Sequence, residues 1–348
     1  MNICYLLEST ELCGGVRVVF DQARALEKKG HRVLIRSCRG DHRWYPHPVT
    51  VEYVSDLASP VSPQKTSPDV AIATFWTTVR AVMQLNASLK FHLCQGYEGD
   101  FQEYAPLRSE IEAVYRLPIP KITIGRWLSE LLQQRFGKDS FKVFCVGQIV
   151  DIDIFRPISL WRRRLIRLKG GGEIKIIVVG LFECSFKGIP YALEAVSNIR
   201  QRGRDIYLIR VSPGAPSAGE AGITRIDEYH THISPRDLVK IFHKSDLYLA
   251  PSLAQEGFGL PFAEALACGI PAVATAIPSY LGFDEKHDYA CFVPEKNPLA
   301  MMEAAISVID DRRLRARLGR RGPEVVHGKF RGEAVALNLE SVFSGLLK

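Results

Sequence analysis

The chain has 348 residues, of which 47% are hydrophobic and 24% charged, with a formal net charge of +7. That length predicts two domains, each with its own core, and the composition is that of an ordinary globular protein. No run of about 18 apolar residues occurs, so no membrane-crossing helix is expected.

Met1-Asn-Ile-Cys-Tyr-Leu-Leu-Glu8 has no basic leader and meets an acid at Glu8, so it reads as a first strand and not a signal peptide. Cys13-Gly14-Gly15 predicts a tight turn. Val16, Val19, Phe20, Ala23 and Leu26 then share one helical face over 16–29. Gly30 ends that helix, and strands are predicted over 31–37, 70–75, 91–95, 121–124 and 143–146. A helix over 127–136 separates the last two, and the Pro- and Ser-rich stretch 55–68 is a loop. This alternation predicts a parallel sheet covered by helices.

Character changes after residue 150. Asp151-Ile-Asp-Ile-Phe-Arg-Pro157 leads into the basic run Trp161-Arg-Arg-Arg-Leu-Ile-Arg-Leu-Lys169 and then Gly170-Gly-Gly172. A domain linker is expected there, at 156–172. A second alternation follows, with strands over 174–179, 206–211, 246–250, 272–275 and 290–293. Helices are predicted over 189–201, 235–243, 298–310 and 311–320, and a final one over 333–347. The runs 161–169 and 312–321 concentrate the positive charge, and solvated helix faces account for them plainly. If they have a partner, anionic lipid headgroups or a phosphate-bearing acceptor suit them. Nucleic acid does not, because no aromatic residues interleave with the basic ones.

The eight cysteines (4, 13, 38, 94, 145, 184, 268 and 291) are scattered, with no Cys-x-x-Cys pair. They read mostly as buried thiols in a reducing cytosol, with neither a disulfide framework nor a zinc site. His230 and His232 are two apart, with no third ligand nearby, and read as part of a loop at a strand end.

Chemistry concentrates in Pro251-Ser-Leu-Ala-Gln-Glu-Gly-Phe-Gly-Leu-Pro-Phe-Ala-Glu-Ala-Leu-Ala-Cys-Gly-Ile-Pro271. It reads as strand, glycine loop, helix, strand. Pro261 suits a first helical turn, and Gly269 a left-handed cap. Gly257 and Gly259 bring bare backbone to the mouth of the helix, where unsatisfied N–H groups and the macrodipole favour a phosphate. Glu256 precedes the helix and Glu264 lies near its first turn, so both can face a ligand docked there. A phosphorylated, hydroxyl-rich ligand fits: amides for the phosphate, carboxylates for the hydroxyls.

This segment resembles the Glu-x7-Glu signature of family 4 retaining glycosyltransferases, with Glu256 and Glu264 as the glutamates. Gly14-Gly15 is similar to that family's N-terminal glycine turn. Gly147 to Pro157 resembles its Gly-x-x-x-Asp-x-x-x-Phe-x-Pro hinge motif. The resemblance covers essentially the whole chain and implies an α/β protein of GT-B fold, two Rossmann-like doubly wound domains facing across a cleft. The expected parts are an acceptor-side domain 1–155, the linker 156–172, a nucleotide-sugar domain 173–330 and a helix 331–348 that crosses back.

The resemblance further implies transfer of a sugar from a nucleotide diphosphate sugar to a hydroxyl acceptor in cell-surface polysaccharide or glycoconjugate synthesis. No metal or cofactor is expected, and the setting would be the cytoplasm or the inner face of the plasma membrane. Glu256 would sit by the sugar and Glu264 would hold the ribose. The amides of Phe258, Gly259 and Leu260 would meet sugar hydroxyls and phosphate. In Gly180-Leu-Phe-Glu-Cys-Ser-Phe-Lys-Gly188, Lys187 and Gly188 match the family's phosphate loop, but Leu181 stands where an Arg is usual. Arg210 or Arg17 could supply that charge instead. On the acceptor side, Gln95-Gly-Tyr-Glu98 replaces the commoner His and Asp, which makes Gln95 and Glu98 the candidates, with a structural loop as the plain reading. A nucleotide-sugar epimerase and a catalytically silent nucleotide-sugar-binding subunit are the alternatives.

Overall fold

The structure is a computed structural model that describes residues 1–60, 67–159, 161, 165 and 173–346. The chain divides into two compact units, Met1–Ile149 together with Phe330–Lys348, and Val150–Lys329.

The first unit is built on seven strands: β1 (Asn2–Ser9), β2 (Arg32–Arg39), β3 (Val51–Tyr53), β4 (Val70–Ala73), β5 (Leu89–Cys94), β6 (Lys121–Thr123) and β7 (Val143–Cys145). Their order across the sheet is β3-β2-β1-β4-β5-β6-β7, and every neighbouring pair is parallel. A parallel sheet is covered on both faces, so its central strands are apolar runs without alternation. β4 obeys this, with all of Val70–Ala73 buried. The helix Gly14–Lys28 buries the predicted face of Val16, Val19, Phe20, Ala23 and Leu26. The C-terminal helix Gly332–Leu346 packs in this unit through Val335, Ala336, Leu339 and Phe343. The Phe343 ring lies 5.4 Å from that of Phe91, and Asn338 Nδ2 donates to the Val146 carbonyl at 3.0 Å.

The second unit holds β8 (Ile174–Val179), β9 (Ile206–Ser212), β10 (Glu228–Thr231), β11 (Leu247–Ala250), β12 (Ala272–Thr275) and β13 (Cys291–Val293). The order is β10-β9-β8-β11-β12-β13, again all parallel. The chain winds one way from β8 to β10 and the other way from β11 to β13. The order therefore reverses between β8 and β11, and ligands of such sheets bind beyond the carboxyl ends of the strands at that reversal.

Several expectations are corrected. The first unit ends at Ile149 and not at 155, because Phe155 is fully buried in the second unit with its ring 6.1 Å from that of Phe242. Of the expected linker, 160, 162–164 and 166–172 lie outside the described residues, as do 61–66 of the Pro- and Ser-rich stretch. Gly14 and Gly15 form no turn: they open the helix, and Cys13 caps it by accepting from Val16 N–H at 3.4 Å. The stretch 227–233 contains edge strand β10, where His230 pairs with Glu228. The helix expected to stop at 320 runs from Arg312 to Lys329. A Cβ on Gly322 would meet the Leu266 carbonyl oxygen at 3.0 Å, and this close backbone contact holds the helix in place past residue 320. Only Cys4, Cys94 and Cys268 are buried; Cys13, Cys38 and Cys145 are exposed, since they cap a helix or end a strand.

Candidate functional site

Two loops leave the sheet at the reversal point. After β8 the chain passes Gly180 and makes a short 3-10 turn over Ser185–Lys187. It enters the helix Ile189–Gln201 through Gly188, which has φ +61°. After β11 it passes Pro251 and Ser252, then enters the helix Leu260–Ala267 through Gly259, which has φ +80°. L side chains avoid that backbone region, so glycine is required ahead of each helix.

The two loops are knitted together. Leu253 N–H donates to the Phe186 carbonyl at 2.8 Å. A Cβ on Gly188 would stand 2.1 Å from the Pro251 carbonyl oxygen, so only a bare backbone passes there. This brings Lys187 to Glu256, 69 residues away in sequence: Nζ donates to Oε2 at 2.7 Å. The Lys187 side chain is 25% exposed and that of Glu256 7%. Ser252 Oγ donates to the same Oε2 at 3.0 Å, and Tyr280 OH donates to Ser252 Oγ at 2.9 Å.

Glu264 lies inside the helix Leu260–Ala267, immediately after its first turn, and is 1% exposed. Burial, followed by the charges of Glu256 and Glu264, pushes the Tyr248 hydroxyl far above its usual range, so both carboxylates act on one buried phenol. Gly257 and Leu260 flank this point, and Phe258 is buried with its ring 4.7 Å from that of Phe283. The first turn of the helix leaves backbone donors without intrahelical acceptors, with Pro261 where no donor is needed. The site thus unites a cation, two carboxylates and a helix N-terminus.

Arg210 does not supply the missing charge. It is fully buried, ion-paired with equally buried Glu220, and donates to the carbonyls of Val178 at 2.8 Å and Gly180 at 2.9 Å. Its guanidinium is spent on holding the strand end that launches the Lys187 loop. Leu181 packs toward Gly214, where a Cβ would come within 2.9 Å of it. Arg17 is buried in the first unit, 3.7 Å from Asp21. Asp151 Oδ1 accepts from the N–H groups of Asp153 and Ile154, which gives it a turn-capping role. Among the described residues, no group of three His, Cys, Asp or Glu side chains could hold a metal ion.

In the first unit, Gln95 Nε2 donates to the Gly15 carbonyl at 3.1 Å, which unites two of the predicted residues at the carboxyl end of the sheet; Gly14 begins the same helix. Glu98 does not join them at an open edge. It is buried, accepts from Tyr115 OH at 2.6 Å, and burial pushes its carboxyl up to about 7. His92 is also fully buried, and burial and then Lys121 hold it well below the usual imidazole range. Ser252 could be read from the sequence either as lining this edge or as an ordinary strand-end residue. Tyr280 carried no sequence signal, since it reaches the site from 28 residues further on.

The family described as "Glycosyl transferases group 1" matches residues 173–311. The MMP alpha-(1->4)-mannosyltransferase of Mycolicibacterium hassiacum is 29% identical over 143 residues, 39% of this chain and 32% of the relative. The D-inositol 3-phosphate glycosyltransferase of Paenarthrobacter aurescens is 26% identical over 231 residues, 62% of this chain and 56% of the relative. The chain thus spans only about a third to little more than half of the curated relatives it matches. Among solved structures, sucrose-phosphate synthase from Thermosynechococcus elongatus superposes with TM-score 0.77 at 18% identity, covering 99% of both chains. Anabaena Alr3699/HepE in complex with UDP-glucose gives TM-score 0.77 at 15% identity, covering 99% of this chain and 100% of that one. The chain therefore has the GT-B fold, and residues 173–311 of its second unit are similar to the glycosyl transferases group 1 family.

Proposed function

We propose that this chain is a retaining glycosyltransferase that moves a sugar from a nucleotide diphosphate sugar to a hydroxyl acceptor, without a metal, in the making of a cell-surface polysaccharide or glycoconjugate. The observation that carries the reading is the meeting of Lys187 and Glu256 at the strand-order reversal of the second unit, next to the N-terminus of the helix Leu260–Ala267.

Negative charge grows on the diphosphate as the bond from the anomeric carbon to the leaving oxygen breaks. Lys187 and the amides of Phe258, Gly259 and Leu260 stabilise that charge, with Gly188 giving the loop its close approach. Glu256 accepts from the hydroxyls of the sugar, and Glu264 from those of the ribose. On the acceptor side, Gln95 Nε2 spends one of its two N–H groups on the Gly15 carbonyl, and its Oε1 would accept from an acceptor hydroxyl. The UDP-glucose bound by Anabaena HepE makes a uridine diphosphate sugar the first donor to try. Curated relatives that transfer mannosyl groups support a sugar-transfer reaction here. The enzyme would work in the cytoplasm, where exposed Arg312, Arg313, Arg317 and Arg320 suit a peripheral contact with anionic lipid at the inner membrane face.

The test is turnover of a panel of nucleotide sugars by the purified chain, with slow hydrolysis expected before any acceptor is added. Activity should persist in excess chelator, and the released or transferred sugar should keep its anomeric configuration by NMR. Activity that appears only with added Mn²⁺ or Mg²⁺, or an inverted product, would sink this reading.

A further inference from the structure

Glu256 is held from two sides, and the two holds differ in kind. Lys187 stands on a short turn and is partly exposed, so its ammonium is open to any anion that reaches the site. Ser252 and Tyr280 are buried. Hydrogen-bond direction along this second path is decided by chemistry: the carboxylate only accepts, so Ser252 spends its single proton on Glu256 and must accept from Tyr280. Both holds converge on Oε2, and Oε1 accepts no hydrogen bond among the described residues.

The tyrosine is itself fixed. Its ring lies 4.5 Å from that of Phe262, and Tyr289 OH donates to its carbonyl. The ring also lies against Gly259, where a Cβ would come within 2.3 Å of Tyr280 Cε1. The Ser252 carbonyl accepts from Thr275 Oγ1. Burial, then the Glu256 charge, keeps the Tyr280 proton in place well above the usual phenol range, so it remains a donor.

We propose that Ser252 and Tyr280 are positioning residues that hold Glu256 independently of Lys187, so that Oε1 stays aimed at the donor when a diphosphate draws Lys187 away. The inference rests on the donor chemistry proposed above, but the tether itself is a structural claim. A carboxylate tied through one oxygen by a buried network gives up little rotational freedom when the substrate binds, which is what a preorganised site needs.

Two arms test it. The first is crystallographic and needs no activity. In donor-free Lys187→Ala, Glu256 should stay on Ser252; in the double variant Lys187→Ala, Ser252→Ala, its carboxylate should leave that position. A carboxylate that moves in the single variant, or stays in the double one, overturns the proposal. The second arm is kinetic. Tyr280→Phe should lower kcat about tenfold with donor KM nearly unchanged, the scale of one lost positioning hydrogen bond. Ser252→Ala should do the same, and the pair should be no worse than Ser252→Ala alone, since Tyr280 acts only through Ser252. Losses that multiply in the pair, or a rise in KM alone, would also overturn it. If the wild type turns over no nucleotide sugar, the proposed function fails, and the crystal arm still decides the tether.

Discussion

Lys187 meets Glu256 at 2.7 Å, so its charge is neutralised locally. A diphosphate carries more charge than one carboxylate and offers an ammonium stronger, charge-assisted contacts as the leaving group develops. Arg210 is locked to Glu220, so Lys187 is the side-chain cation of this loop. Lys187→Ala should lower turnover ~100-fold or more, the scale of one preorganised electrostatic donor, and barely change affinity for the nucleoside part. Lys187→Arg should rescue part of the loss, since charge is kept while geometry changes. Steady-state kinetics beside calorimetry of nucleotide binding checks this, and near-normal turnover by folded Lys187→Ala would refute it.

Glu98 makes a prediction of a different kind. Its carboxyl is raised from 4.5 to about 7 by burial, which outweighs the hydrogen bond from Tyr115. The folded state therefore binds this proton more tightly than the unfolded state. The resulting stability is fully present below about 4.5 and is lost as pH climbs through about 7. Glu98→Gln, neutral throughout, should flatten that slope, so the variant gains on the wild type as pH is raised through this window. Denaturant melts at several pH values measure it; parallel curves would refute the burial argument.

At the scale of elements, the site depends on two loops that touch through backbone. The Leu253–Phe186 bond and the passage of Gly188 under the Pro251 carbonyl set where Lys187 meets Glu256. Gly188→Ala adds a Cβ 2.1 Å from that oxygen at a φ of +61°, and the atom it meets is backbone, with no flexible side chain to give way. The expected cost is roughly 2–3 kcal/mol of stability. Turnover should fall as well, because the loop must swing away from Glu256. A thermal melt with an activity assay separates the two effects; an unshifted melt would mean the loop yields cheaply. The Arg-rich helix Arg312–Lys329 is a mixed element. Arg321 is tied to Asp284 and Asp288, and Arg315 donates to the carbonyls of Val308 and Ile309. The solvated-face account thus covers only part of that run.

At the scale of the whole molecule, the chain does not divide where its sequence runs out of one motif and into the next. The last helix, Gly332–Leu346, belongs to the unit that begins at Met1. It buries Val335, Leu339 and Phe343, and His31 Nε2 lies 2.9 Å from Glu340 Oε1. Removing residues from Phe330 onward should cost the first unit on the order of 5 kcal/mol, counting three large apolar side chains. The second unit, which spans Val150–Lys329, should keep its own transition and the nucleotide affinity that the proposed function requires. Calorimetry with and without a nucleoside diphosphate reads both; a single transition shifted as one would refute the division.

Apolar runs, helix faces and the order of Gly and Pro determined the fold class and the strand–loop–helix of residues 247–267, because those are local periodicities that survive in one dimension. Glu256, Glu264 and Lys187 could be singled out as candidates for the same reason: each sits at a fixed offset from a strand end. The short elements Val51–Tyr53, Val79–Gln84, Arg108–Tyr115 and Glu228–Thr231 were not, since a few residues hold too little periodicity to outweigh packing. Only the tertiary structure paired Lys187 with Glu256, spent Arg210 on Glu220, enclosed Glu98 against Tyr115 and brought Tyr280 to Ser252. Each of those contacts joins parts of the chain whose nearness is created by the sheet, and composition leaves no trace of which charge will face which.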